Sequence, residues 1–367
     1  MKVLMTTPDP QDPGGVAFFC NSLRKPLGPG VDYFTIGTRV GVRRTPVGTV
    51  HRVYRDAQAF RRQLETRAYS LVHLNPSLLP KATLRDGHLV RITAAADVRV
   101  LAFFHGWNPR VKRILQRFGR ILLNATFYRA DAIAVVASDY QRQFEAMGCP
   151  VPVHVMTSVV PDDVVARART APDLRAQRRK PDVCRLLFLS RIEKEKGIFE
   201  TLDAFSLLKR KHPGLELVVA GSGSALTAAQ SRAQALGLQD VTFTGYLRGD
   251  AKHDAFQAAD IYVLPTAHGE GMPHSLLEAM AYGMPFLTCP VGGIRDFMQN
   301  ETMGYAIQDR RPHVIASTLD PWIDDVTGRE TIGRFNQAYC AEHFAASSVA
   351  RRLWQLYRQV TDEAEIT

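Results

Sequence analysis

Ile261-Tyr262-Val263-Leu264, followed by His268-Gly269-Glu270-Gly271-Met272-Pro273-His274-Ser275-Leu276-Leu277-Glu278-Ala279-Met280-Ala281-Tyr282-Gly283-Met284-Pro285, reads as a buried strand, a glycine-rich loop and a helix. Pro273 suits the first helical position, because the N–H it lacks has no acceptor there. Backbone amides at such a helix start, together with the helix dipole, form a site for phosphate. Gly271 lets the backbone approach a ligand closely. Glu270 precedes the helix and Glu278 lies in its second turn. Carboxylates are poor phosphate ligands but good acceptors for sugar hydroxyls. Taken singly, each Glu is an ordinary surface residue; the whole string after a strand points to a ligand site.

The same rhythm extends in both directions. Strand candidates in the N-terminal half are Lys2–Thr6, Leu71–Leu74, Val98–Phe104, Ala132–Ala137 and Val153–Met156. Those in the C-terminal half are Arg185–Leu189, Leu215–Ala220, Val241–Thr244, Ile261–Leu264 and Phe286–Thr288. Short apolar strands separated by helix-length amphipathic stretches imply parallel sheets. Two such series in 367 residues predict α/β architecture with two doubly wound, Rossmann-like domains. The expected division is 1–165, 175–345 and a C-terminal segment 346–367 returning to the first domain. The polar stretch Pro161–Pro181 is the expected linker. Ser347–Glu363 reads as a helix with Val349, Leu353, Leu356 and Tyr357 along one side.

Four further positions carry candidate chemistry. In Ser190-Arg191-Ile192-Glu193-Lys194-Glu195-Lys196-Gly197, Arg191 and Lys196 leave a strand end and could neutralise a departing diphosphate. Without other support, a turn containing Glu193 and Glu195 reads as solvated charge. Pro13-Gly14-Gly15-Val16 follows the first strand and opens a helix, so Gly15 permits close approach to a phosphate or acceptor. His105 and Ser138 end apolar strands, where open α/β sheets place ligands. Gly245-Tyr246-Leu247 follows another strand, and Gly221-Ser222-Gly223 reads as a tight strand-to-helix turn.

Together these motifs resemble the family 4 retaining glycosyltransferases, which have the GT-B fold with two domains facing across a cleft. The Glu270-x7-Glu278 string is similar to that family's signature, and Ser190-Arg191-x4-Lys196-Gly197 to its basic element, with Ser190 replacing the usual glycine. The resemblance implies that Arg191 and Lys196 hold the donor pyrophosphate, and that Glu270 meets hydroxyls of the donor sugar. Glu278 would hold the ribose. Gly271, Met272, His274 and Ser275 would line the sugar and phosphates, with Tyr246 and Leu247 near the base. Gly15, His105 and Ser138 would meet donor or reacting sugar from the N-terminal side. Glu-Gly-Met-Pro departs from the common Glu-Gly-Phe-Gly. The family's Asn-Gly near the domain boundary is missing; Thr157-Ser158-Val159-Val160 stands there. No cofactor or metal is implied, since Asp162-Asp163 and Asp324-Asp325 lack the setting of a metal-binding Asp-x-Asp. The implied activity is transfer of a hexose-type sugar from a nucleoside diphosphate to a glycan or lipid-linked acceptor, in polysaccharide or glycolipid biosynthesis. A sugar-nucleotide epimerase or phosphorylase on the same fold, and a non-catalytic sugar-nucleotide-binding protein, are the rival readings.

Charge adds a partner. The chain is +10 overall, but residues 1–160 hold 22 Lys/Arg against 10 Asp/Glu, a net +12, leaving the remainder at −2. On a helical wheel, Arg110–Asn124 gathers Arg110, Lys112, Arg113, Arg117 and Arg120 on one side, opposite Val111, Ile114, Leu115, Phe118, Ile121 and Leu122. An anionic membrane surface attracts such a face by about 1 kcal/mol per basic residue. No recognised nucleic-acid module accompanies it. Five scattered cysteines without a CxxC pair imply reduced thiols and no zinc site. The absence of a signal-peptide pattern and of a bilayer-length apolar run points to a cytoplasmic protein, peripheral at the inner face of the membrane.

Overall fold

The computed structural model describes residues 1–37, 39, 41, 46–77, 80–106, 121–178, 183–267 and 271–362. The chain divides into two compact units. The first comprises Met1–Val159, Gly269–Met272 and Ala346–Thr367; the second comprises Val160–His268 and Pro273–Ala345.

The first unit is built on Val3–Thr7 (β1), Val31–Thr35 (β2), Leu71–Leu74 (β3), Arg99–Phe104 (β4), Ala132–Val135 (β5) and Val153–Val155 (β6). They form one parallel sheet in the order β2-β1-β3-β4-β5-β6. The central strands β3 and β5 are buried at every position, as a sheet covered on both faces requires. β2 is a strand that hydrophobic patterning does not pick out. It lies at the sheet edge, and four of its five residues are only half-buried.

The last helix, Ala346–Asp362, belongs to this first unit. Val349, Leu353, Leu356 and Tyr357 are buried, so the periodic side faces the core. Tyr357 also supplies a polar anchor, its hydroxyl 2.6 Å from Nδ1 of buried His73. Burial pushes the His73 imidazole down to about 3, so it is neutral at physiological pH.

The second unit carries Cys184–Leu189 (β7), Leu215–Ala220 (β8), Val241–Gly245 (β9), Ile261–Leu264 (β10), Phe286–Thr288 (β11) and Gly304–Ala306 (β12). Its sheet is also parallel, in the order β12-β11-β10-β7-β8-β9. β12 is again an edge strand missed by patterning, with three residues of which only Gly304 is fully buried.

The stretch expected as a linker is folded instead. Helices Asp162–Ala168 and Ala171–Arg178 occupy it, inside the second unit, with Val165, Ala168 and Ala171 buried. Arg175 donates to the carbonyls of Tyr282 (3.0 Å) and Gly283 (3.2 Å). It thereby satisfies acceptors just beyond the end of helix His274–Ala281, which that helix cannot satisfy itself. The polar composition of this stretch reflects that carbonyl-binding role as well as solvent.

Of the basic wheel Arg110–Asn124, residues 110–120 lie outside the described residues. Residues 121–124 are helical, but Ile121 is 75% exposed while Leu123 is fully buried. The wheel therefore placed Ile121 on the wrong side: Leu123 takes the core position in this turn. Among the described residues, no helix is long and apolar enough to cross a membrane.

Candidate active site

In the second sheet the chain runs outward from β7 to β8 and β9, then returns to lay β10 on the other side of β7. The loops after β7 and β10 consequently part at a topological switch point, where open α/β sheets bind ligands. They are stitched together there. Ala267 N–H donates to the Glu195 carbonyl at 2.7 Å. The Tyr262 hydroxyl donates to the Leu189 carbonyl (3.0 Å) and pairs with Ser275 Oγ (2.7 Å). Gly197, at φ +86°, sits so close to this crossing that a Cβ would lie 2.4 Å from the Pro265 carbonyl oxygen.

This stitching sets the two basic residues differently. Lys196 is drawn under the loop and is only 5% exposed, whereas Arg191 is exposed. The Glu193 carboxylate accepts from the Ser224 hydroxyl and from Ser224 N–H at 3.3 Å, and these hydrogen bonds, with the charges of Arg191 and Lys196, hold it below the usual carboxylate range.

Gly221-Ser222-Gly223 does more than turn the chain. Ser190 N–H donates to Ala220 O, Ile192 N–H to Ser222 O and Ala225 N–H to Ile192 O, so the glycine loop and the Arg191 loop lock together. Gly221 N–H in turn reaches Gly245 O at 2.7 Å. The three loops after β7, β8 and β9 thus form one hydrogen-bonded rim. Tyr246, on the β9 side, is exposed with the Arg248 guanidinium 4.8 Å from its ring centre, and Leu247 beside it is half-buried.

The helix after β10 runs from His274 to Ala281. Pro273 is its N-cap, with ψ of 113°, rather than its first helical residue; the Pro273 carbonyl accepts from Leu276 and Leu277 N–H. The expected position was off by one residue, because Pro273 keeps extended backbone and only its carbonyl joins the helix. His274 and Ser275 therefore make up the start of the first turn, the anion-favouring end of a helix.

Glu278 is 4% exposed and faces Lys252, whose Nζ lies 2.8 Å from Oε1 and 2.5 Å from Oε2. Burial pushes the Glu278 carboxyl above its ordinary range, and the Lys252 ammonium draws it back. Lys252 comes from helix Gly249–Ala258.

In the first unit the switch point falls between β1 and β3. Gly15 begins helix Gly15–Leu27, and the Gly14 N–H before it donates to Asp12 Oδ1 at 2.7 Å. His105 follows β4, stacked on Phe103 at 4.2 Å, with Nε2 2.6 Å from Asn75 Oδ1. Ser138 begins helix Ser138–Ala146, and its hydroxyl accepts from Arg142 at 3.2 Å. Gly271 packs within this unit: a Cβ there would lie 2.2 Å from the His105 carbonyl oxygen and 2.8 Å from Val136 Cγ2. Met272 beside it is buried. Glu270 lies outside the described residues. Among the described residues, no three His, Cys, Asp or Glu side chains are grouped as metal ligands would be.

Residues 171–338 match the family model for glycosyl transferases group 1. Within the matched region lie the rim after β7, β8 and β9, Lys252 and the helix bearing Glu278. The chain is 28% identical over 174 residues to the uncharacterized glycosyltransferase MJ1607 of Methanocaldococcus jannaschii, a match covering 47% of this chain and 44% of that relative. It is 24% identical to the GDP-mannose-dependent alpha-(1-6)-phosphatidylinositol monomannoside mannosyltransferase of Mycobacterium tuberculosis, over 88% of this chain and 92% of that one. Among solved structures it superposes on Anabaena Alr3699/HepE in complex with UDP-glucose with a TM-score of 0.74, at 18% identity over 97% and 99% of the two chains. The fold is GT-B, two parallel six-stranded sheets with their helices.

Within the matched region the structure brings Arg191, Lys196, His274, Ser275 and Glu278 to the loops and helix at the C-terminal ends of β7 and β10, with Tyr246 and Leu247 on the neighbouring rim. Gly15, His105, Ser138, Gly271 and Met272 group with the first unit. Two partners escaped the sequence reading. Lys252 stands 26 residues from Glu278 and Asn75 stands 30 residues from His105. Each is an ordinary polar residue in an ordinary setting. The one available signal was the position of Asn75, directly after the apolar run Leu71–Leu74, where a strand end meets ligand.

Proposed function

We propose that this chain is a nucleotide-sugar-dependent glycosyltransferase that retains anomeric configuration and needs no metal ion. The observation that carries the reading is the buried cation Lys196 at the same switch point as the start of helix His274–Ala281, with the Glu278–Lys252 pair farther along that helix. A diphosphate meets positive charge there, and a ribose meets a buried carboxylate paired with an ammonium. Arg191, Lys196 and the first-turn amides stabilise the negative charge that grows on the leaving diphosphate. The bond between the anomeric carbon and the phosphate oxygen breaks, and the acceptor oxygen bonds to the same face. The acceptor proton passes to that phosphate oxygen, so no carboxylate nucleophile takes part. Glu270 and His105 contact the donor sugar, a hexose in this reading, and polysaccharide or glycolipid synthesis is the setting.

The test is a set of nucleoside-diphosphate hexoses assayed in EDTA, for thermal stabilisation and for slow hydrolysis without acceptor. At least one donor should raise the melting temperature and release free sugar, and Glu278→Gln should weaken that donor. Affinity should also fall on acidification through the Glu278 pKa, because only the ionised carboxylate accepts from two ribose hydroxyls. Activity lost in EDTA and restored by Mg²⁺ or Mn²⁺ would overturn the metal-free chemistry. Stabilisation by no donor would overturn the whole reading.

The +12 charge of residues 1–160 supports a lipid-linked acceptor met at an anionic membrane surface. Co-sedimentation should be stronger with anionic than with zwitterionic vesicles and should fall with salt, since such charges are screened beyond roughly 8 Å at physiological ionic strength. Changing Lys112, Arg113, Arg117 and Arg120 to Gln should weaken it. Equal binding to both lipids would leave a soluble acceptor in place of a lipid-linked one.

A further inference from the structure

Three neighbouring strands of the first sheet end in a hydrogen-bonded chain. Thr6 lies on β1, Asn75 directly follows β3, and His105 directly follows β4. Asn75 is 6% exposed and held at both ends. Its backbone N–H donates to Thr6 Oγ1 at 3.0 Å, and its Nδ2 donates to the Thr6 carbonyl at 2.8 Å. With the amide nitrogen so engaged, Oδ1 is turned to His105 Nε2 at 2.6 Å. A flipped amide would set oxygen against the Thr6 carbonyl and a donor toward the imidazole, losing the Nδ2 bond to that carbonyl outright. The loop after Asn75 is fixed as well, because the buried Asp86 carboxylate accepts from Ser77 N–H at 3.1 Å. The His105 ring is confined by Phe103 stacked at 4.2 Å and by Phe19 edge-on at 4.5 Å.

We propose that Asn75 is a positioning residue for His105: it holds the imidazole in the Nε2–H tautomer, so that in the neutral ring Nδ1 is the acceptor, and it fixes the ring's tilt. An amide oxygen can only accept, so Nε2 must donate to it. The inference rests on the reading of His105 as a contact to the reacting sugar. In that reading the tautomer and tilt of the ring decide which groups of the sugar it can meet.

Two measurements test this on the whole 367-residue chain. The first is ¹⁵N-detected NMR of the histidine rings, with His105 identified by its loss in His105→Phe. The wild type should show His105 as Nε2–H, and Asn75→Ala should show a mixture of tautomers. Asn75→Asp, which keeps an acceptor facing Nε2, should keep a proton on Nε2, in the neutral or the doubly protonated ring. A wild-type ring in the Nδ1–H form overturns the proposal without reference to activity. The second is steady-state kinetics. Asn75→Ala should lower kcat by about ten- to a hundredfold, as a misplaced contact does, with donor KM changed much less. Slowed His105→Phe beside wild-type turnover in Asn75→Ala overturns this inference alone. Wild-type turnover in His105→Phe overturns the reading of His105 on which the inference stands.

Discussion

Replacing Lys196 by Ala should lower kcat by about a hundred- to a thousandfold, roughly 2.7–4 kcal/mol of barrier, while donor KM changes far less. The reason is where the charge sits. Lys196 is 5% exposed, beneath a loop whose backbone is bonded to the segment after β10. In such a site a cation acts through little water and need not reorganise as the leaving group gains charge. Arg191 is exposed, so its removal should cost less, because solvent screens it. Lys196→Met separates charge from packing, since it keeps an apolar stem of similar length. It should be almost as slow as Lys196→Ala, and the difference between the two melting temperatures reports the packing of the stem. Lys196→Arg should not restore activity fully, since a planar guanidinium is bulkier than the buried ammonium and donates in a different geometry. Steady-state kinetics with saturating acceptor decides the matter. Wild-type kcat in Lys196→Met would remove this residue from leaving-group stabilisation.

Gly221→Ala should destabilise the second unit by about 3 kcal/mol or more, a drop of roughly 6–12 °C in its thermal transition. Gly221 has φ of +140°, and a Cβ there would lie 1.9 Å from the Ser190 carbonyl oxygen. Neither the backbone angle nor the space admits a side chain. The obstructing atom is backbone, so relief requires moving residues 190–192 and with them Arg191. Donor affinity should therefore fall together with stability. Gly237→Ala is the control. Gly237 also has positive φ, +67°, but a Cβ there would meet nothing within 4 Å, so its cost should be near ~1 kcal/mol from backbone strain alone. Equal melting temperatures for the two variants would mean that the rim yields easily and does not position Arg191.

Local pattern accounts for most of what could be read before folding. β3 and β10, for instance, are apolar runs buried at every residue, and their setting on two sheets follows from their alternation with helices. β2 and β12 escaped because an edge strand is half-wetted and short, and so carries neither a full apolar run nor clear alternation. The Arg191–Lys196 loop and the string ending in Glu278 were legible for a related reason: each is a contiguous segment whose chemistry lies within one loop or one helix start. Contiguous pattern alone carried the parallel α/β class, the basic and acidic residues around a helix start, and the amphipathic C-terminal helix. Three things emerge only on folding: Lys196 is buried while Arg191 is exposed, Lys252 pairs with Glu278, and Asn75 Oδ1 meets His105 Nε2. Folding also decided that the Pro161–Pro181 stretch holds helices rather than a linker. The physical reason is common to these cases. Burial and side-chain pairing depend on which distant strand ends the sheet order makes adjacent, and that adjacency leaves no periodic trace along the chain.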